Sequence, residues 1–274
     1  MKNILTWLSA LVFLSSSVEC AAQSLSESQT TAQYGSNPSA GRYISTRGFR
    51  MYVETYGKGQ PLLVIHGNGG SIADMANQVP YFSKSYNVIA ADSRSQGKSA
   101  DPSDSLSYEM MADDYNALMD SLHIDSANIV GWSDGGIIGL LLAIRHPEKV
   151  RKLAVTGANI RPDTSAFSAN DMQWMKNHAD KLSGQKPDPG VKNELKLTRL
   201  MIDEPNIPGA LLGKIRCPVL VIGGDHDIIK PAHTLEIYQS IPNAFLWILP
   251  GSGHDTCIKF KDDFNFQVER FFRK

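Results

Sequence analysis

Short runs of Val, Ile and Leu alternate with longer helical stretches over most of this 274-residue chain. Unbroken apolar runs of this kind are typical of parallel strands that are buried on both faces of a sheet. The predicted strands cover residues 62–65, 87–91, 127–130, 153–156, 219–222 and 245–249, and the predicted helices cover residues 72–82, 110–122, 135–146, 231–241 and 262–272. This alternation predicts an α/β fold with a doubly wound, mostly parallel sheet.

Two segments depart from the alternation. Residues 43–55 hold two strand-like runs on either side of Arg47-Gly48, which predicts an antiparallel hairpin before the parallel strands. Residues 159–208 have helical but no strand character, which predicts a small helical cap inserted after the sixth strand. We therefore expect one domain over residues 42–274, with the cap as an insertion within it.

The first 22 residues have the pattern of a signal peptide, with a basic start, an apolar run over residues 4–14 and small residues up to Ala22. A membrane-spanning helix needs about 20 apolar residues. We therefore expect cleavage near Ala22, a secreted or periplasmic protein, and no stable membrane insertion afterwards. Glu19 fits a lipoprotein signal poorly, which disfavours a lipid anchor at Cys20. The Ser-, Gln- and Thr-rich residues 23–41 predict a flexible linker.

Charge and residue spacing argue against several classes of function. Twenty-seven Lys and Arg residues against 28 Asp and Glu residues give a net charge of −1, so no basic excess is present to bind nucleic acid. No histidine pair or CxxC pattern has the spacing of metal ligands, and the glycine-rich turns lack a dinucleotide fingerprint. We expect no metal and no organic cofactor, and the sequence does not indicate an oligomeric state.

The motif Gly131-Trp132-Ser133-Asp134-Gly135-Gly136 follows a predicted buried strand and opens a predicted helix. A sharp strand-to-helix turn strains its central residue and exposes that side chain above the sheet, which requires small residues on either side. The N-terminus of the helix adds N–H groups and partial positive charge at the same place. Ser133 is therefore the predicted nucleophile.

A serine nucleophile needs a general base and an acid that orients the base. Among seven histidines, His254 follows the last predicted strand through a Pro-Gly-Ser-Gly turn that can hold an imidazole over the sheet edge. Asp227 follows the preceding strand and is the preferred acid, with Asp225 and Asp163 as alternatives. The chain order serine, aspartate, histidine is the one expected for this topology.

An oxyanion hole is the remaining part of such a site. The His66-Gly67-Asn68-Gly69-Gly70 turn follows the predicted strand 62–65 and can direct a backbone N–H toward Ser133. We predict that the N–H groups of Asn68 and Asp134 hold the oxyanion. His66 itself ends a strand, where a structural hydrogen bond is the expected role.

With these motifs the chain resembles the α/β-hydrolase superfamily over residues 42–274. Asp92-Ser93-Arg94-Ser95-Gln96-Gly97-Lys98-Ser99 is similar to the family's Asp-x-Arg-Gly-x-Gly-x-Ser turn, with Ser95 in place of the first glycine. Haloalkane dehalogenases and epoxide hydrolases share this fold but use an aspartate nucleophile. Ser133 therefore argues against both activities.

Within the superfamily, the nucleophile motif and Thr156-Gly157-Ala158-Asn159 resemble the biphenyl-hydrolase-like group, which includes valacyclovir-cleaving α-amino-acid ester hydrolases. In that group the acidic residue after the serine binds the ammonium group of the substrate, and Asp134 occupies the matching position. The alternative is that Asp134 only complements the positive end of the helix.

The predicted function is a serine hydrolase that cleaves small carboxylic esters, amino-acid esters among them, through an acyl-enzyme on Ser133. Trp132 and the cap residue Trp174 are substrate-binding candidates, although apolar cap residues are more often core. One alternative is an aminopeptidase or amidase of the proline-iminopeptidase type, which would need acidic cap groups to hold a substrate N-terminus. The available groups are Asp171, Asp180, Glu194 and Glu204. Another alternative is a non-catalytic ligand-binding protein on a hydrolase scaffold.

Overall fold

The computed structural model describes residues 33–274. The predicted signal peptide and the first ten residues of the predicted linker lie outside the described residues. Among the helices that are described, none is both long and apolar enough to cross a bilayer.

The described residues form a sheet of eight strands in the order β1-β2-β4-β3-β5-β6-β7-β8. The first strand is antiparallel to the second, the second is antiparallel to the fourth, and all other neighbours are parallel. The strands are β1 (Gly41–Thr46), β2 (Phe49–Tyr56), β3 (Gln60–Ile65), β4 (Tyr86–Ala91), β5 (Ala127–Trp132), β6 (Val150–Thr156), β7 (Val219–Gly224) and β8 (Ala244–Leu249). The structure thus confirms the predicted hairpin and the mostly parallel sheet.

Helices cover both faces of the sheet and enclose two apolar layers. One layer packs under α2 and α3, and the other packs under α1 and α9. The helices are α1 (Val79–Phe82), α2 (Tyr108–Ser121), α3 (Asp134–Arg145), α4 (Ala169–Ser183), α5 (Pro189–Asp203), α6 (Gly209–Leu212), α7 (Pro231–Ser240), α8 (Thr256–Lys259) and α9 (Lys261–Arg273), with 3₁₀ turns at Ile72–Met75 and Pro147–Lys149.

The predicted single helix over residues 72–82 is wrong in detail. The segment forms the 3₁₀ turn Ile72–Met75 and then the short α1, which has Pro80 in its first turn. Proline lacks an N–H group, and its ring clashes with the carbonyl group four residues earlier in a continuous helix. Pro80 is therefore compatible with a new helix start but not with a helix that runs through residue 76.

The cap lies between β6 and β7, as predicted. It consists mainly of α4 and α5, which contact each other and begin at the N-caps Ser168 and Asp188. Each N-cap side chain accepts hydrogen bonds from backbone N–H groups of the first turn. These capping bonds satisfy N–H groups of the first turn and thereby fix where the two helices begin.

The folded domain begins earlier than residue 42, within the predicted linker of residues 23–41. The backbone N–H groups of Gly35 and Asn37 donate to the Glu54 carboxylate at 2.7 and 2.9 Å, and β1 already begins at Gly41. Glu54 is fully buried in β2 and needs these donors, because an unpaired buried carboxylate is costly. The folded domain therefore includes residues that the sequence assigned to a flexible segment.

Candidate active site

Ser133 occupies the turn between β5 and α3 in a strained backbone conformation, with φ 55° and ψ −118°. Non-glycine residues rarely adopt a positive φ, and such strain clusters at active sites. The turn is so tight that a Cβ atom at Gly131 would overlap the carbonyl of Gly135. The glycine spacing of the motif is therefore a steric requirement of this turn.

The structure brings Ser133, His254 and Asp227 into one hydrogen-bonded chain. Nε2 of His254 lies 3.0 Å from Oγ of Ser133, and Nδ1 of His254 lies 2.7 Å from Oδ1 of Asp227. The three residues come from the ends of β5, β7 and β8, which the parallel sheet gathers at one edge. This is the geometry that lets an imidazole take a proton from a serine hydroxyl while a carboxylate orients the ring.

The loop around Asp227 explains why this aspartate, and neither alternative, meets His254. The buried Oδ1 of Asp227 also accepts the N–H of Ile229 at 3.0 Å, which fixes the carboxylate beneath the imidazole. Asp225 instead bonds the exposed ring of its neighbour His226. Asp163 accepts hydrogen bonds from Ser165 at the start of the cap.

The two predicted oxyanion-hole residues flank Ser133. Gly67 packs against Ser133, since a Cβ there would lie 3.2 Å from Cβ of Ser133, and Asn68 follows it directly. Asp134 is the first residue of α3, where backbone N–H groups have no partner within the helix. His66 holds the turn as expected, because its buried Nε2 accepts the N–H of Ser93 at 3.0 Å.

A hydrogen bond also joins the side chains of Asn68 and Asp134. Nδ2 of Asn68 donates to Oδ2 of Asp134 at 2.9 Å, and the hydroxyl of Tyr108 donates to Oδ1 of Asp134 at 2.8 Å. Asn68 also reaches the carbonyl of Leu197 in α5 at 3.4 Å. Burial raises the pKa of Asp134 to about 6, although both hydrogen bonds favour the ionised form.

A cavity of about 210 Å³ opens beside Ser133 and His254 beneath the cap. Its lining includes three carboxylates, those of Asp134, Asp171 and Glu204, and no Lys or Arg side chain. Burial raises the pKa of Glu204, whose Oε2 accepts the N–H of Tyr108 at 3.0 Å. The remaining lining residues are Tyr108, Asn159, Phe167, Trp174, Met175, Met201, Ile228 and Ile229. The site is therefore small, partly apolar and negatively charged.

The two tryptophans that were substrate-binding candidates lie in different places. Trp174 lines the cavity and stacks on the His178 ring. The Trp132 side chain does not line the cavity, and its Nε1 donates to the backbone carbonyl of His254 at 2.8 Å. The sequence gives no indication that Tyr108 belongs to the site, because no local pattern distinguishes it from other apolar residues at a helix start.

Of the four acidic cap groups, two reach the cavity. Asp171 and Glu204 line it, whereas Glu194 bonds His178 at 3.0 Å on the exposed side of the cap. Asp180 is exposed on α4. Over residues 33–274, no group of three or more His, Cys, Asp or Glu side chains is arranged to hold a metal ion.

Comparisons with known proteins agree with this architecture. The family model described as the alpha/beta hydrolase fold matches residues 60–202. The chain is 30% identical over 270 residues to a 2-hydroxymuconate semialdehyde hydrolase of Pseudomonas putida, which covers 86% of this chain and 95% of that protein. It is 26% identical over 268 residues to the serine hydrolase BPHL of Mus musculus, which covers 90% of this chain and 91% of that protein. A thermophilic esterase from Thermogutta terrifontis shares the fold, with a TM-score of 0.73 at 20% identity over 85% of this chain and 98% of that chain.

Proposed function

The chain belongs to the alpha/beta hydrolase fold family, and from this premise we propose that it is a serine hydrolase of small carboxylic esters that works through an acyl-enzyme on Ser133. The observation that carries the proposal is the hydrogen-bonded chain from Ser133 through His254 to Asp227, which opens on a small cavity.

Each step of ester cleavage has a group in position. Oγ of Ser133 attacks the ester carbonyl while Nε2 of His254 takes the hydroxyl proton, and the Asp227 carboxylate stabilises the imidazolium through Nδ1–H. The backbone N–H groups of Asn68 and Asp134 hold the negative oxygen of the tetrahedral intermediate. The imidazolium then protonates the departing alcohol. Water, deprotonated by His254, attacks the acyl-enzyme, and the acid leaves as Ser133 recovers its proton.

The charge of the cavity favours esters that carry a cation. Three carboxylates in the lining, with no Lys or Arg among them, attract an ammonium group and repel a carboxylate. Within residues 33–274, the Asp134 side chain accepts hydrogen bonds only from the neutral donors Asn68 and Tyr108, and the cavity lining holds no Lys or Arg that could pair with its charge. We therefore favour α-amino-acid esters as the substrate subclass. A muconate semialdehyde carries a carboxylate, which fits this lining less well.

A second candidate is an aminopeptidase or amidase. It is favoured by Asp171 and Glu204, because both belong to the cap and both line the cavity where a substrate N-terminus would be held. The same nucleophile and base would cleave an amide, but the leaving amine must then be protonated before the C–N bond breaks. Comparison of an amino-acid ester with the matching amino-acid anilide separates the two candidates.

The test is a substrate panel of neutral, amino-acid and carboxylate-bearing esters of matched acyl length, assayed with the purified protein and with Ser133→Ala. We expect amino-acid and neutral esters to be hydrolysed, and carboxylate-bearing esters to have kcat/KM values lower by on the order of tenfold or more. Ser133→Ala should lower kcat by on the order of 10⁵ or more.

The panel also identifies the alternatives. Cleavage of anilides as fast as esters would favour the amidase. Absence of hydrolysis together with failure of a fluorophosphonate probe to label Ser133 in folded protein would reject catalysis and favour a ligand-binding role. A preference for carboxylate-bearing esters would contradict the substrate subclass while leaving the hydrolase proposal intact.

A further inference from the structure

Trp132 lies next to the nucleophile in the chain, but its side chain reaches the residue that carries the base. The indole Nε1 donates to the backbone carbonyl of His254 at 2.8 Å, and the indole and imidazole ring centroids are 6.1 Å apart. The indole is partly buried and packs against the apolar layer beneath α1 and α9. It therefore contacts His254 through the backbone as well as through the ring.

This contact joins the end of one strand to the loop after another, and the two strands are not neighbours in the sheet. Trp132 is the last residue of β5, whereas His254 belongs to the loop that follows β8, and β6 and β7 lie between these strands. The Ser133–His254 hydrogen bond also joins the two, but proton transfer breaks and remakes it in every cycle. The indole–carbonyl bond involves no reacting atom, so no step of the proposed reaction requires it to break.

Other contacts hold the rest of the His254 loop but leave this carbonyl to Trp132. Oγ1 of Thr256 donates to the carbonyl of Gly253 at 3.1 Å, and the N–H of His226 donates to the carbonyl of Ser252 at 2.9 Å. These bonds attach the loop to itself and to the β7 loop. The Trp132 bond, in contrast, attaches the loop to β5, the strand that leads into Ser133.

We propose that Trp132 is a positioning residue that sets the distance between His254 and Ser133 through its indole N–H, and that it does not bind substrate. The inference rests on the proposed serine hydrolase function. Pinning the His254 carbonyl fixes the backbone from which the imidazole projects, and proton transfer is steeply sensitive to that placement, since a misplacement of about 1 Å can cost on the order of 10²-fold in rate.

The test is Trp132→Phe, which keeps an aromatic ring but removes the N–H donor. We expect kcat to fall by about 10- to 100-fold for every ester of the panel, with KM unchanged. The rate of fluorophosphonate labelling at Ser133 should fall by the same factor, because His254 activates the serine in that reaction too. Trp247→Phe, on β8 away from the site, is the matched control and should keep wild-type kcat.

Several outcomes would overturn the inference. A rise in KM that differs among esters would assign Trp132 to substrate binding, and wild-type kcat in Trp132→Phe would show that the bond sets nothing. If the wild-type protein neither hydrolyses esters nor is labelled at Ser133, the proposed function itself fails. That result is distinct from an active wild type with an equally active variant.

A second measurement covers the case in which Trp132→Phe does not fold. In ¹⁵N-tryptophan-labelled wild-type protein, the Trp132 indole proton should exchange with water much more slowly than that of Trp174, whose residue is 62% exposed. The signals are assigned from single Trp→Phe variants of the other tryptophans. Exchange of the Trp132 proton as fast as that of Trp174 would exclude a persistent bond to His254.

Discussion

Asp134 is charged in a place where a negative charge is costly. The residue is 3% exposed, and it lies directly after Ser133, the proposed nucleophile. Neutral donors compensate a buried carboxylate only in part, which is why its pKa rises to about 6. A substrate cation would complete the compensation, so ionisation of Asp134 and binding of an ammonium group should be linked.

We predict that the preference for a cationic over a neutral ester depends on pH through Asp134. Below about pH 6 the carboxyl group is protonated and attracts no cation, and above that pH it is ionised, so the preference should increase as pH rises through about 6. The measurement is the ratio of kcat/KM values for an ester with a fixed quaternary ammonium group and a neutral ester of similar size. Changes of protonation that affect the hydrolysis of both esters equally cancel in this ratio.

Asp134→Asn is the control for this prediction. The amide can keep hydrogen bonds to Asn68 and Tyr108 while the charge is removed, so the ratio should fall and should lose the increase near pH 6 that the wild type shows. If the wild-type ratio is already flat over that range, Asp134 acts only as a structural acceptor at the start of α3.

At the scale of elements, the end of β6 shapes the site without contributing a functional side chain. Gly157 follows β6 with φ 64°, and a Cβ atom there would lie 2.8 Å from Cε1 and 2.9 Å from Nδ1 of His254. Any larger residue must therefore displace the imidazole from Asp227 or move the end of β6. Glycine at position 157 therefore leaves the room that the His254 ring occupies.

We predict that Gly157→Ala lowers kcat by about 10- to 100-fold, because the new methyl group displaces the imidazole of His254. Gly48, in the β1–β2 turn, offers a matched comparison, since its φ is 88° but nothing lies within 4 Å of a Cβ built there. Both variants should lose about 1–2 kcal/mol of unfolding free energy from the positive φ. Only Gly157→Ala should lose activity in steady-state assays, and an equal loss in both would attribute the effect to backbone strain alone.

Most helices and strands, and the residues that follow the strands, could be predicted from the sequence because they depend on local patterns. Apolar runs marked β3 to β8, and the residues that follow β5, β7 and β8 supplied Ser133, Asp227 and His254. The direction of a side chain is not a local property. Trp132 points to the His254 loop, and Tyr108 meets Asp134 across 26 residues of chain, because packing and not periodicity decides those contacts.

At the scale of the whole molecule, a buried charge network joins segments that are distant in sequence. The guanidinium of Arg94 bonds Asp114 of α2 at 2.7 and 2.8 Å and Asp101 at 3.0 Å, and it also donates to the carbonyl of Arg47 in the hairpin turn. The same group lies 4.0 Å from the centre of the Phe49 ring. One side chain therefore connects the antiparallel hairpin, the turn after β4 and the helix α2.

The side chains of Arg94 and Asp114 are 5% and 0% exposed, so removal of either partner leaves a charge in the interior. We predict that Arg94→Met lowers the unfolding free energy by about 3–5 kcal/mol, mainly because Asp101 loses its cation and Asp114 keeps only Arg47, whose Nε lies 3.1 Å from Oδ1 and whose side chain is 44% exposed. The double variant Arg94→Met, Asp114→Leu should recover part of that loss, since an apolar pair of similar volume can replace a buried ion pair. Urea unfolding of the wild type, both single variants and the double variant measures the coupling. Additive losses would mean that the two residues stabilise the fold independently, and the hairpin would then depend on its apolar contacts with α2.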